Sequence, residues 1–128
     1  MDKKELGNKG ENFAAEYYKK LGFDIVKQNY TCLGGEIDII AENEEYILFI
    51  EVKTRSDNSF YQPSEAVDYQ KQKRLTVAAV KYLAETGSEK RSQFDIFEVY
   101  AHNNRIFKVR RIENAFDAFD FGGRYDIF

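Results

Sequence analysis

The chain of 128 residues fits one domain, expected over 1–128, and is long enough to bury a hydrophobic core. Hydrophobic residues at 43% and aromatics at 16% exclude a disordered chain, while interspersed charges and the lack of any apolar run of about 18 residues exclude membrane-spanning helices. One cysteine, Cys32, and one histidine, His102, exclude an internal disulfide and a Cys/His zinc site. The segment Met1-Asp2-Lys3-Lys4-Glu5 lacks the apolar run of a signal peptide, so the cytoplasm is the expected location, with no membrane partner. The net charge of -3 is unevenly spread. Residues 36–51 hold six acids (Glu36, Asp38, Glu42, Glu44, Glu45, Glu51) and no base, so the remainder is net positive, with basic runs at Lys71, Lys73, Arg74 and at Arg105, Lys108, Arg110, Arg111.

From Lys4 to Leu21, apolar residues at Leu6, Phe13, Ala14, Tyr17 and Leu21 predict a helix, and Gly22 stands where a capping glycine belongs. "FDIVKQNY" predicts a strand, "TCLGG" a turn, "EIDII" a second strand, and "YILFIEVKTR" a third after the polar "AENEE". The polar loop "SDNSFYQPS" carries the only proline, Pro63. Asp68 then reads as the N-cap of a second helix, with Leu75, Ala78, Ala79, Tyr82 and Leu83 on one face and an end near Gly87. "QFDIFEVY" and "RIFKVRRI" predict two more strands around the turn "AHNN"; the tail "ENAFDAFDFGGRYDIF" is expected to pack back as a helical turn plus extended chain. The order αβββαββ implies an α/β domain with a mixed sheet flanked by helices.

Strand alternation puts Glu36, Asp38 and Ile40 on one face of the second strand and Ile37 and Ile39 on the other. On the third, Ile47, Phe49, Glu51 and Lys53 share a face. A hairpin centred between Glu44 and Glu45 sets Asp38 opposite Glu51 and Glu36 opposite Lys53; a slip of one residue would separate the carboxylates. Two carboxylates within roughly 5 Å repel unless a cation or proton compensates, and converging acid oxygens suit a hard divalent cation such as Mg2+. The plainer alternative is a salt-bridged sheet surface with Lys53 pairing Glu36 or Glu51. Extending the apolar face of the second helix toward its N-terminus reaches Lys71 and Gln72, polar groups near backbone N–H groups that favour a phosphate. Glu11 lies on the first helix beside Gly7, Ala14 and Ala15, small neighbours that would let its carboxylate approach the sheet; an exposed surface glutamate is the alternative.

The stretches "KGENFAAEYYKKLGF", "GGEIDIIAENEEYILFIEVKTR", "AVDYQKQKRL", "RSQFDIFEV" and "IENAF" closely resemble the YraN-like family, also called UPF0102, from about Gly10 to Phe116. That family is placed with the PD-(D/E)xK nuclease superfamily and is similar to archaeal Holliday junction resolvases, so the resemblance implies a restriction-endonuclease-like fold. It implies that Asp38 is the superfamily's strand aspartate, that Glu51 and Lys53 form its (D/E)xK element, and that Glu11 matches a metal-binding helix glutamate. Gln72, with Lys71 as a weaker candidate, matches the polar residue on the following helix. The literal proline-aspartate pair is absent, Ile37 preceding Asp38, and "AENEE" replaces a turn that often carries Asp-Gly.

The expectation is therefore a Mg2+-dependent phosphodiesterase, with Mn2+ as a substitute, acting on nucleic acid and on DNA first. Asp38, Glu51 and Glu11 would hold metal, Lys53 would position the hydroxide, Gln72 and Lys71 would orient groups around it, and Arg55, Lys71 and Arg74 would contact the backbone. By analogy with the resolvases, a homodimer is expected. The rivals are a nucleic-acid-binding module that does not cleave, alone or as a subunit of a repair or uptake complex, and a protein-interaction domain with a structural cation.

Overall fold

The computed structural model describes residues 2–56 and 69–117. The expected Asp68 cap, most of the Pro63 loop and the tail beyond Asp117 lie outside the described residues. In chain order the elements are α1 (Lys3–Lys20), β1 (Asp24–Cys32), β2 (Gly35–Glu42), β3 (Tyr46–Ser56), α2 (Tyr69–Thr86), β4 (Arg91–His102) and β5 (Arg105–Phe116), the predicted αβββαββ. The five strands lie in the order β1-β2-β3-β4-β5. Among the described residues only β3 and β4 pair in parallel, with α2 between them in the chain, and the other neighbours are antiparallel, which makes the sheet mixed. Among the described residues, no helix is long and apolar enough to cross a membrane.

Asp2 caps α1 by accepting the Glu5 N–H at 2.8 Å, and Gly22 follows the helix at φ 96, a left-handed conformation that glycine adopts freely. The buried face of α1 consists of Leu6, Gly10, Ala14, Ala15 and Tyr18. Phe13 and Leu21, expected in the core, are 43% and 48% exposed. Several apolar stripes were compatible with the helical period, and the sheet selects the one with small residues in the middle. At Gly10 an added Cβ would collide with the Thr54 side chain of β3, so helix and sheet approach as closely as the missing side chain allows.

One core lies on each face of the sheet. Ala14, Ala15 and Tyr18 of α1 pack on Ile39, Ala41, Leu48, Ile50, Phe97 and Val99. Leu75, Ala78 and Ala79 of α2 pack on Ile37, Ile40, Ile47, Phe49, Phe94 and Ile96, with Tyr82 and Leu83 against them, as the predicted helix face requires. Ile37 therefore sits on the α2 side and not with Ile39, contrary to strict alternation. Opposite this irregularity, between the pairs Gln28↔Ile39 and Tyr30↔Ile37, Asn29 takes φ 54 and interrupts the regular pleat of β1.

All five strands outrun their predicted ends, β2 reaching Glu42 and β3 Ser56. Thr31 and Cys32 belong to β1, leaving Leu33-Gly34 as a tight turn with Gly34 at φ 84. Asn103 and Asn104, at φ 49 and 62, form the hairpin turn between β4 and β5. Residues Glu113–Phe116, expected to begin a helical turn packing back on the domain, instead continue β5 through an irregularity where Asn114 takes φ 51 and donates its N–H to Asp95 at 3.0 Å. Asp95 is fully buried and also accepts from Tyr18 Oη at 2.8 Å, Arg111 Nε at 2.8 Å and Gln93 Nε2 at 3.0 Å. Four donors offset its desolvation, so this buried carboxylate ties α1, β4 and β5 together.

Candidate active site

The β2–β3 ladder runs Ile39↔Ile50, Ile40↔Phe49, Ala41↔Leu48 and Glu42↔Ile47, the register expected from a hairpin centred between Glu44 and Glu45. One step beyond its end stand Asp38 and Glu51. There the strand pairing passes from backbone to side chain, for Asp38 Oδ2 accepts the Val52 N–H at 2.8 Å. Glu51 follows Phe49 on the α2 side of β3 and is 6% exposed.

The Asp38 and Glu51 carboxylates are close enough for each to act on the other's ionisation, and two bare carboxylates so placed repel. Burial, followed by the neighbouring Asp38 charge, pushes Glu51 up to about 8. Asp38 is raised as well, first by burial, against the lowering effect of the Val52 N–H and the Lys71 charge. Glu11, carried by α1 next to the close Gly10–Thr54 contact, is raised to about 7 by burial and then by Asp38. Gly7, whose small size was expected to matter, has nothing within 4 Å, so Gly10 is the glycine that admits Glu11 to the sheet.

From the other side comes α2. An added Cβ at Gly35 would lie 2.6 Å from the Arg74 carbonyl and 2.7 Å from the Ala78 nitrogen, so the helix backbone rests on the start of β2. This brings Lys71 Nζ to 2.9 Å from Glu36 Oε1 and 3.3 Å from Glu51 Oε1, with Arg74 Nη2 at 3.9 Å from Glu36 Oε2. Burial opposes the Lys71 charge, but the two carboxylates outweigh it and leave the amine raised; the hydrogen bond and charge of Lys71 in turn lower Glu36.

Glu11, Asp38, Glu51 and Lys71 thus converge where α1, β2, β3 and α2 meet. Lys53 is half-buried two residues beyond Glu51 and is the register partner of Glu98 on β4. Among the described residues it makes no ion pair; Lys71, not Lys53, binds Glu36 and Glu51, which corrects the plainer alternative of a Lys53 salt bridge to either acid. Gln72 is half-buried in the same helical turn as Lys71, and its carbonyl accepts the Thr76 hydroxyl at 2.8 Å. Arg55 is drawn to the fully buried Glu98 at 3.4 Å, with its side chain 16% exposed, and Arg110 approaches the same carboxylate at 3.8 Å. The buried acids Asp95 and Glu98 escaped the sequence reading, as did Lys71 as the ion-pair partner of Glu36. Only the acid-base spacing along β4 and β5 hinted at the first two.

The donor set suits a hard divalent cation. Glu51 Oε2 is buried with no hydrogen-bond partner among the described residues, and it belongs to a carboxylate facing another carboxylate. Among the described residues no three histidine, cysteine, aspartate or glutamate side chains form a ready metal cluster. Two carboxylates suffice for Mg2+, which keeps several of its waters.

The family model described as uncharacterised protein family UPF0102 matches residues 10–99. That span contains Glu11, Asp38, Glu51, Lys53, Lys71 and Gln72 and stops before β5. A UPF0102 protein of Caldanaerobacter subterraneus subsp. tengcongensis is 42% identical over 119 residues, covering 91% of this chain and 98% of that protein. One from Caldicellulosiruptor saccharolyticus is 42% identical over 119 residues, 91% of this chain and 100% of its own. Another, from Clostridium acetobutylicum, is 40% identical over 115 residues, covering 88% and 94%.

Proposed function

We propose, from the premise that this chain belongs to the UPF0102 family, that it is a divalent-metal-dependent phosphodiesterase acting on nucleic acid, with DNA the expected substrate. The observation that carries this reading is the buried Asp38–Glu51 pair with one oxygen lacking a donor. A carboxylate pair placed where two strands part, without enough cationic partners, costs stability that a purely structural site would shed.

In this reading Asp38 and Glu51 hold Mg2+, or Mn2+ in its place, and Glu11 reaches the ion directly or through water. The bound ion would supply Lewis-acid polarisation of a phosphoryl oxygen and acidification of water. Lys53, close along β3, orients the attacking hydroxide for in-line displacement at phosphorus. Gln72 and Lys71 present polar groups from the first turns of α2, and Arg74, 46% exposed, reaches toward the phosphate backbone. Arg55 acts at one remove, by fixing Glu98 on the strand beside the one that carries Lys53. A symmetric homodimer, by analogy with the resolvases, would extend the small contact surface of one domain.

A second reading, a binding module that does not cleave, draws on Lys71, which already neutralises part of the acidic charge. Incubation with Mg2+ or Mn2+ and branched, flapped, single-stranded and duplex substrates separates the two. We expect metal-dependent cleavage that falls by at least about 100-fold in Asp38→Ala and Lys53→Ala. Equal cleavage by wild type and variants would identify a contaminant and sink the proposal. Salt-sensitive binding without cleavage would select the binding module.

A further inference from the structure

One lysine touches two unlike carboxylates. Lys71 Nζ lies 2.9 Å from Glu36, whose side chain is 40% exposed, and 3.3 Å from Glu51, whose side chain is 7% exposed. The geometry of α2 enforces this contact, since its backbone rests on β2 at Gly35, immediately before Glu36. The ammonium therefore contacts the same Glu51 carboxylate that the proposed metal site requires. Ammonium and divalent cation on one buried carboxylate would repel strongly, because little water screens them. Lys71 must release Glu51 for the cation to bind, and it need not enter solvent to do so. Glu36 already holds it at the shorter distance, backed by Arg74 at 3.9 Å from its other oxygen.

We infer that Lys71 is a resident counter-ion that locks the acidic site in the metal-free protein, and that Glu36 is the anchor to which it withdraws when a divalent cation engages Asp38 and Glu51. This rests on the metal site proposed above and adds its regulation. The lock sets a threshold: the cation has to displace a covalently attached competitor whose local concentration never falls. It also gives Glu36 a positioning role exerted through Lys71, outside the ion's own ligands.

The test is calorimetric titration with Mn2+ alone at fixed pH and ionic strength, with circular dichroism confirming that each variant is folded. Lys71→Met and Lys71→Gln are expected to bind Mn2+ about tenfold more tightly than wild type. Lys71→Arg, which keeps the charge, should stay near the wild-type value. Glu36→Gln should weaken binding several-fold in the wild-type background and have little effect beside Lys71→Met, the non-additivity expected if Glu36 acts through the lysine. Unchanged or weaker binding in both neutral Lys71 variants, with Asp38→Ala abolishing it, would overturn the lock while leaving the metal site intact. Failure of wild type and both neutral variants to bind Mn2+ would overturn the metal site and the lock together. Binding that emerges only in the neutral variants would support the lock in its strongest form.

Discussion

Glu51 is held in the folded chain near 8, against an ordinary glutamate value of about 4.3, because burial and the Asp38 charge oppose its ionisation. Below about pH 8 the folded metal-free protein therefore keeps a proton that the unfolded chain releases, and the Lys71–Glu51 contact becomes a full ion pair as that proton leaves. Between about pH 4.5 and 8 the native state binds more protons, so stability falls as pH rises through this window and levels off above it. Glu11, raised to about 7, contributes in the same direction over the lower part of the range. Thermal melts in chelator from pH 5 to 9 should show this decline, and a flat profile would contradict the burial of the pair. Glu51→Gln, neutral and nearly isosteric, is expected to raise the metal-free Tm at pH 8 by about 5 °C while abolishing Mn2+ binding. Stabilisation accompanied by loss of ligand is the behaviour of a residue kept for chemistry. Because metal capture must expel the proton that Glu51 retains, Mn2+ affinity should rise with pH across the same range.

At the level of elements, two glycines set the site by close approach, and they differ in what blocks a side chain. At Gly10 the obstacle is the Thr54 side chain, so Gly10→Ala should cost about 1–3 kcal/mol and displace Glu11, and Thr54→Ala should rescue much of the loss. At Gly35 the obstacle is the backbone of α2, so Gly35→Ala should destabilise more, with no single side-chain change to relieve it. Chemical denaturation of the two single variants and of the Gly10 double variant reads this difference. The same scale shows what the sequence could reveal. Alternation and turn placement sufficed for the Asp38–Glu51 register and for the α2 face, because both are local patterns. The exposure of Phe13 and the face change at Ile37 depended on which neighbour each element met. Asp95 was hidden for the same reason, since Tyr18, one of its donors, lies 77 residues away along the chain.

Across the whole molecule, the basic residues divide by what they bind. Arg111, 16% exposed, is committed to the buried Asp95 at 2.8 Å, whereas Arg110 approaches the buried Glu98 at 3.8 Å with its side chain 54% exposed. The run on α2 lies beside the candidate site, with Arg74 46% exposed. Nucleic-acid affinity should therefore depend on few phosphate contacts, in keeping with a net charge of -3. Arg74→Ala is expected to weaken binding evenly across sequences and to reduce the slope of log affinity against log salt by about 1. Fluorescence anisotropy over a salt series measures it, and an unchanged slope would remove Arg74 from the interface.

The sheet has a narrow waist. β3 is paired with β4 from Tyr46 to Ser56, while its ladder with β2 covers only Ile47–Ile50. Asp38 and Glu36 stand on the β2 bank of that seam, and Glu51 and Lys53 on the β3 bank, just beyond the last backbone rung. The two banks work like the blades of a pair of pliers whose pivot is the short ladder. Any scissoring about it would change the Asp38–Glu51 gap directly, and the Val52 N–H bond to Asp38 at 2.8 Å is the clasp that opposes it.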